Sequence, residues 1–107
     1  LGMPPRCPHC GGLGRPYVVW VGESLPPAAL EAAYVAAAIC DVFLSVGTSA
    51  VVQPAASLPL EAQAHGALTV EINPGETPLS RRLNLVLRGA AGQVLPVLVS
   101  AVWPDDV

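Results

Sequence analysis

Three short apolar runs limit what this chain can fold into, because each breaks directly into a tight, ligand-friendly turn. The runs are VFLSV at residues 42–46, ALTVEI at 67–72 and NLVL at 84–87. The turns that end them are Gly47-Thr48-Ser49, Asn73-Pro74-Gly75 and Gly89-Ala90-Ala91. Runs this short, rich in β-branched residues and bounded by turn formers, read as strands. The runs look continuous, without alternation, and that is the pattern of strands covered on both faces. Helical segments lie between and after them. Pro26-Pro27 opens PAALEAAYVAAAIC, a helix that Asp41 ends, with Leu30, Ala33, Tyr34, Ala37 and Ala38 on one face at helical spacing. A second helix is expected over residues 54–65 with Gly66 as its cap, starting late enough for Pro59 to be harmless. A third covers residues 91–102, with Pro96 near its first turn. A further strand is expected at residues 17–21, YVVWV, broken by Gly22-Glu23-Ser24. The order strand, helix, strand, helix, strand, strand, helix defines an α/β fold with a parallel Rossmann-like sheet.

Parallel strands place their carboxyl ends on one rim, and ligands of open α/β sheets bind there. The three turns would therefore lie side by side. Gly47 permits close approach of a ligand to the backbone, and Thr48 and Ser49 offer hydroxyl and N–H donors to a phosphate. Asn73 can both donate to and accept from ribose hydroxyls, and Ala91 leaves room for a flat base. Together they suggest a nucleotide. Each alone is also an ordinary turn sequence, and neither G-x-G-x-x-G nor Walker A is present.

The amino-terminal stretch RCPHCGG poses a separate question. Cys7 and Cys10 at C-x-x-C spacing, with glycines behind them, suit a knuckle that turns two thiolates onto one zinc ion. A thioredoxin-like redox pair should precede a helix, whereas glycines and Arg15-Pro16 follow here. Structural zinc takes four ligands. Cys40, at the end of an apolar helix, reads as a small core residue; His65 reads as a helix-terminal residue; and His9 reads as an exposed knuckle residue, not a ligand. The other two ligands are expected to precede Leu1 in a longer protein.

Composition excludes several functions. The 107 residues carry a net charge of −3 and no lysine, so there is no basic footprint for nucleic acid. No stretch is long and apolar enough to span a bilayer, since Glu31 and Asp41 interrupt the most hydrophobic region. No secretory leader is visible, so the expected location is cytoplasmic. Only 12% of residues are charged, against about 25% in a typical soluble domain. With a mean hydropathy of +0.54, either something else covers the surface or the surface is unusually apolar.

These motifs converge on a family. The run C-P-H-C-G-G-L-G-R-P-Y-V-V-W-V-G-E-S-L-P resembles the sirtuins, the NAD-dependent protein lysine deacylases. Further on, G-T-S-A-V-V-Q-P-A-A, I-N-P-G-E-T-P-L-S and G-A-A-G-Q-V-L-P are similar to that family's nucleotide-contacting segments, in order and spacing. The resemblance covers essentially the whole chain, but matches only the carboxyl-terminal half of a sirtuin. It implies half of a doubly wound NAD-binding domain over residues 17–107, with half of a zinc ribbon over residues 1–16.

Residue by residue, the resemblance implies that Cys7 and Cys10 are half of a structural zinc site. Val19, Trp20, Val21, Gly22 and Glu23 would pair with the acyl-lysine peptide. Gly47, Thr48 and Ser49 would bind NAD near its phosphates and ribose. Asn73, Pro74 and Gly75 would flank the adenosine ribose, and Ala91 the adenine. Val21 departs from the usual phenylalanine, and Gly14 from a larger residue. The family's catalytic histidine segment, glycine-rich loop and first C-x-x-C have no counterpart here, so no residue is assigned as the base. The implied partners are an acyl-lysine substrate and the rest of the fold or a partner chain. Two other readings stay open: a non-catalytic NAD- or ADP-ribose-binding module working with a separate chain, and a small C-x-x-C redox protein.

Overall fold

The computed structural model describes residues 4–20 and 22–105. Helix α1 spans Pro27–Ile39, strand β1 Val42–Val46, helix α2 Leu58–Ala64, strand β2 Leu68–Asn73, strand β3 Leu85–Arg88 and helix α3 Ala91–Val102. A 3-10 turn, Ala55–Ser57, leads into α2. The sheet is parallel throughout, in the order β1-β2-β3. Val46 pairs with Ile72, and Asn73 with Arg88, so the strand ends are aligned on one rim.

Helix α1 starts where Pro26 and Pro27 fix the entry and cost no internal hydrogen bond. Leu30, Ala33, Tyr34, Ala37 and Ala38 are its inward-facing residues, as their spacing predicts, and Ala37 is fully buried. Ala37 packs with Ala62 of α2 and with Ala67, and Cys40, Phe43 and Leu58 close over them. Cys40 is thus part of the core margin, its thiol donating to the Ala37 carbonyl at 3.3 Å. Pro59 falls in the first turn of α2, where its missing N–H breaks nothing. A second cluster, Ala50, Leu79 and Leu83 with Leu60, anchors the segments after β1 and β2.

Three expectations need correction. Residues 17–20 form no strand, and Val21 lies outside the described residues. Tyr17 is fully exposed and Trp20 largely so. A strand gains its stability from pairing and cross-strand contacts, and no neighbouring strand is present for this segment among the described residues. Pro96 lies inside α3, beyond its first turn; it faces back to Gly92, whose carbonyl it cannot bond. The third correction concerns β2. Four successive residues, Thr69 to Ile72, are buried, yet the strand alternates polar and apolar. Thr69, Glu71 and Asn73 share one face by the two-residue period, and Val70 and Ile72 take the other.

Apolar surface remains exposed, as the charge deficit predicts. Val42 and Leu44 on β1 are about half exposed, α3 buries no residue fully, and Val97 is largely exposed. No helix among the described residues is long and apolar enough to cross a membrane.

Candidate functional site at the carboxyl rim of the sheet

The rim is built by the polar face of β2. At its lower end, the Thr69 hydroxyl accepts from Gln63 at 3.1 Å and donates to Asn84 Oδ1 at 3.0 Å, binding α2 and the start of β3 to the central strand. Midway up, the Glu71 carboxylate is completely buried. The Thr77 and Ser80 hydroxyls donate to its two oxygens, and Arg88 Nη1 lies 3.5 Å away. A buried charge is costly unless paired and hydrogen-bonded, and here it is both. At the top, Asn73 joins two turns. Its Nδ2 donates to the Thr48 carbonyl at 2.7 Å, and its Oδ1 accepts from the Gly75 amide at 3.1 Å.

The three turns meet on this rim. Gly47 N–H donates to the Ile72 carbonyl at 2.9 Å, and Gly89 N–H to the Asn73 carbonyl at 3.3 Å. Gly47 has φ +64°, and a Cβ built there meets nothing within 4 Å. The turn is thus open on its outer side. Ala50 holds φ +60°, a left-handed conformation that is strained for a residue with a side chain, and the Thr48 hydroxyl accepts from its amide at 3.1 Å. Ser49 is exposed next to it. Pro74 and Gly75 are exposed beside Asn73, and Ala91 begins α3 immediately after Gly89-Ala90. Gly47, Thr48, Ser49, Asn73, Pro74, Gly75 and Ala91 therefore stand along one edge. Asn73 differs in one respect from the sequence reading: its amide already links two turns, leaving one N–H and one lone pair for any ligand.

The amino-terminal segment makes a second cluster. Arg6 and Leu13 form an antiparallel bridge, Cys7 N–H donates to Gly12 O at 2.8 Å, and Gly11 N–H donates to Cys7 O at 2.9 Å. Gly11 takes φ +73° at the tip, which glycine adopts without steric cost. The result is a knuckle that presents Cys7 half-buried and Cys10 exposed, both as free thiols. The backbone amides of Cys10 and then His9, followed by the Cys10 thiol, hold the Cys7 thiol below its ordinary pKa. Donors aimed at sulfur favour the thiolate that a metal needs. Two thiols are half of a tetrahedral set, and no group of three or more His, Cys, Asp or Glu side chains able to hold a metal occurs among the described residues. Neither His9 nor His65 completes it. His9 is exposed and contributes its backbone N–H to Cys7 Sγ at 3.4 Å. His65 caps α2, with Nδ1 3.0 Å from Glu61 O.

Beyond the knuckle lies an open cavity of about 340 Å³ bounded by Arg15, Tyr17, Val18, Val19, Glu23 and Pro26. Arg15 braces it by pairing with Glu23 at 2.9 Å, donating to Val18 O at 3.0 Å and lying 5.8 Å from the Trp20 ring centre. The Glu23 carboxylate is thus engaged within the segment, accepting also from Trp20 N–H at 3.4 Å. Gly22, with φ +87° and open space at its Cβ position, leaves its backbone approachable.

Sequence reasoning missed Glu71, Thr77, Ser80 and Arg88. The signal was a charged residue between Val70 and Ile72, in a run taken as uniformly apolar. Read at every second position, T-x-E-x-N marks a polar face rising to the rim.

A parallel sheet flanked by helices, with its turns gathered on one rim, defines an α/β protein of the Rossmann type. The comparisons with known proteins specify it further. Residues 2–54 match the model of the Sir2 family. Over 99 residues the chain is 52% identical to the NAD-dependent protein deacylase of Methylococcus capsulatus, an alignment covering 92% of this chain and 39% of the relative. A solved Sir2 homolog–NAD complex is 50% identical, superposes with a TM-score of 0.86, and shares 94% of this chain and 40% of its own. The structure of Sir2Tm bound to a propionylated peptide is 33% identical with a TM-score of 0.81, covering 92% of this chain and 41% of its own. The chain belongs to the Sir2 family, the sirtuins, and spans about two fifths of the length of the curated relatives it matches.

Proposed function

We propose that this chain contributes the adenosine end of an NAD site and one wall of an acyl-peptide groove to a sirtuin-type, NAD-dependent protein lysine deacylase. The observation that carries the reading is the tie between turns: Asn73 bonds Thr48 O and Gly75 N–H, while Gly89 N–H bonds Asn73 O. One residue thereby ties three turns into a single edge. A relative solved with NAD and another solved with a propionylated peptide support the two ligand classes.

When bound, NAD supplies the ribose that accepts the acyl group. The chain's own residues bind and orient. The backbone amides of Thr48 and Ser49, with their two hydroxyls, would hold the phosphate and ribose portion, and Gly47 would let it approach the backbone. Asn73 and Gly75 would border the adenosine ribose, and Ala91 the base. Val19, Trp20, Val21, Gly22 and Glu23 would line the peptide groove, where an extended substrate needs only main-chain partners. Glu23 would act there through its bond to Arg15. Neither histidine is offered as a base, because His9 sits in the knuckle and His65 precedes the opposite end of β2. Cys7 and Cys10 would hold two corners of a structural zinc ion.

The test is made on the complete encoded polypeptide. An acyl-lysine peptide should lose its acyl group only with NAD present, with one nicotinamide released per acyl group. Deacylation that proceeds equally well without NAD, or failure of ADP-ribose to bind in calorimetry, refutes the reading.

A further inference from the structure

We propose that Glu71 is a positioning residue for the nucleotide, acting through Arg88 to fix the Asn73–Gly75 turn in its binding shape; this rests on the function proposed above. Nothing in the ligand-facing edge includes Glu71, which lies wholly inside the sheet. Such a carboxylate is a costly choice for a strand whose neighbours Val70 and Ile72 are apolar. Its partners show what it does. Arg88 Nη1 reaches past it to two carbonyls of the turn, Asn73 O at 3.3 Å and Gly75 O closer still. Arg88 Nη2 donates to Ser80 Oγ at 3.0 Å, and that hydroxyl donates to Glu71. Ser80 Oγ also accepts the Thr77 amide at 2.8 Å. The segment from Asn73 to Ser80 is thus folded around one carboxylate and one guanidinium.

Each member has a distinct part. Arg88 is about two-fifths exposed, so without a counter-charge its long side chain has other places to go. The buried carboxylate, with Ser80, holds the guanidinium under the turn. The guanidinium then fixes the carbonyls of Asn73 and Gly75, and the Asn73 amide carries that geometry across to Thr48. Removing the charge at Glu71 should loosen the turn while leaving the sheet ladder intact, because the β2–β3 register runs through backbone groups.

The experiment compares wild type, Glu71→Gln, Arg88→Met and the double variant in the complete encoded polypeptide. The isosteric E71Q keeps the packing. ADP-ribose binding is measured by calorimetry, KM for NAD, KM for acyl peptide and kcat by steady-state kinetics, and folding by thermal melts. Freeing a hydrogen-bonded charge of this kind is expected to weaken ADP-ribose binding and raise KM for NAD roughly tenfold. KM for the peptide and kcat should change less than about twofold. The double variant should be no worse than R88M alone, since Glu71 acts through Arg88. A purely structural Glu71 would instead lower the melting temperature and the active fraction, leaving KM for NAD unchanged; that result overturns the proposal. So do additive effects in the double variant. If E71Q does not fold, Ser80→Ala, which removes the bridge between the two charges, should give the same selective rise in KM for NAD, and an unchanged KM overturns the proposal equally. Absence of ADP-ribose binding by the folded wild type refutes the nucleotide function itself, which separates the two failures.

Discussion

Gly47→Ala separates the cost of a backbone conformation from the cost of blocking a ligand. Gly47 has φ +64°, and an added Cβ would meet nothing within 4 Å in the protein. Only the left-handed strain remains, about 1–2 kcal/mol for an L-residue. In the complete encoded polypeptide, each kcal/mol lowers the melting temperature by about 2–4 °C. Gly66 supplies the control. It has φ +96°, also with open space at its Cβ position, and sits beyond α2 at the opposite end of the sheet from the rim. Gly66→Ala should therefore destabilise by a comparable amount. A dinucleotide lying against the Gly47 backbone would collide with the new methyl group, so only Gly47→Ala should also weaken ADP-ribose binding, by about tenfold or more, equivalent to about 1.4 kcal/mol. Thermal melts and calorimetry on both variants make the comparison. Equal ADP-ribose affinities in the two variants would refute the claim that the ligand approaches the backbone at Gly47.

Other outcomes follow from the same geometry. At Gly89, φ is +150° and a Cβ would come within 2.7 Å of Val94 Cγ2, so Gly89→Ala should destabilise by about 1–3 kcal/mol in denaturant titrations as α3 is pushed from the rim. Ile72 is completely buried at the centre of the sheet, and Ile72→Ala should cost about 2–5 kcal/mol by the same assay. Cys7, whose pKa is lowered by the Cys10 and His9 amides, is in the thiolate form at a lower pH than an ordinary thiol. Its alkylation should rise with pH and level off below the pH at which an unstructured cysteine does, and peptide mapping should find it modified ahead of a free cysteine standard. Expressed by itself, the chain should hold zinc at less than one ion per molecule after dialysis, because Cys7 and Cys10 leave coordination open; a tightly held 1:1 ion in a monomer would contradict the knuckle assignment.

Much of the fold was legible in the sequence because its signals are local. The inward face of α1 followed from spacing alone, and the parallel order followed from helices alternating with apolar runs. The rim was legible because turn residues announce where strands stop. What was not legible depends on partners distant in the chain. Residues 17–20 have strand composition, but composition does not supply a neighbouring strand. Glu71 was concealed because burial of a carboxylate depends on Thr77 and Ser80, which the turn after β2 folds back over it, and on Arg88, which reaches it only when the chain returns through β3. Asn73 was identified as a ribose partner, yet its bond to Thr48, 25 residues away, makes it first a tie between turns.

The central claim is that three turns on the sheet's carboxyl rim grip one nucleotide. Backbone amide spectra of the complete encoded polypeptide, titrated with ADP-ribose, test it most directly. The amides of Gly47, Thr48, Ser49, Asn73, Gly75 and Ala91 should shift together, on one binding curve, while Gly66 and His65 stay still. Shifts confined to one turn, or centred on the far end of the sheet, would contradict the account.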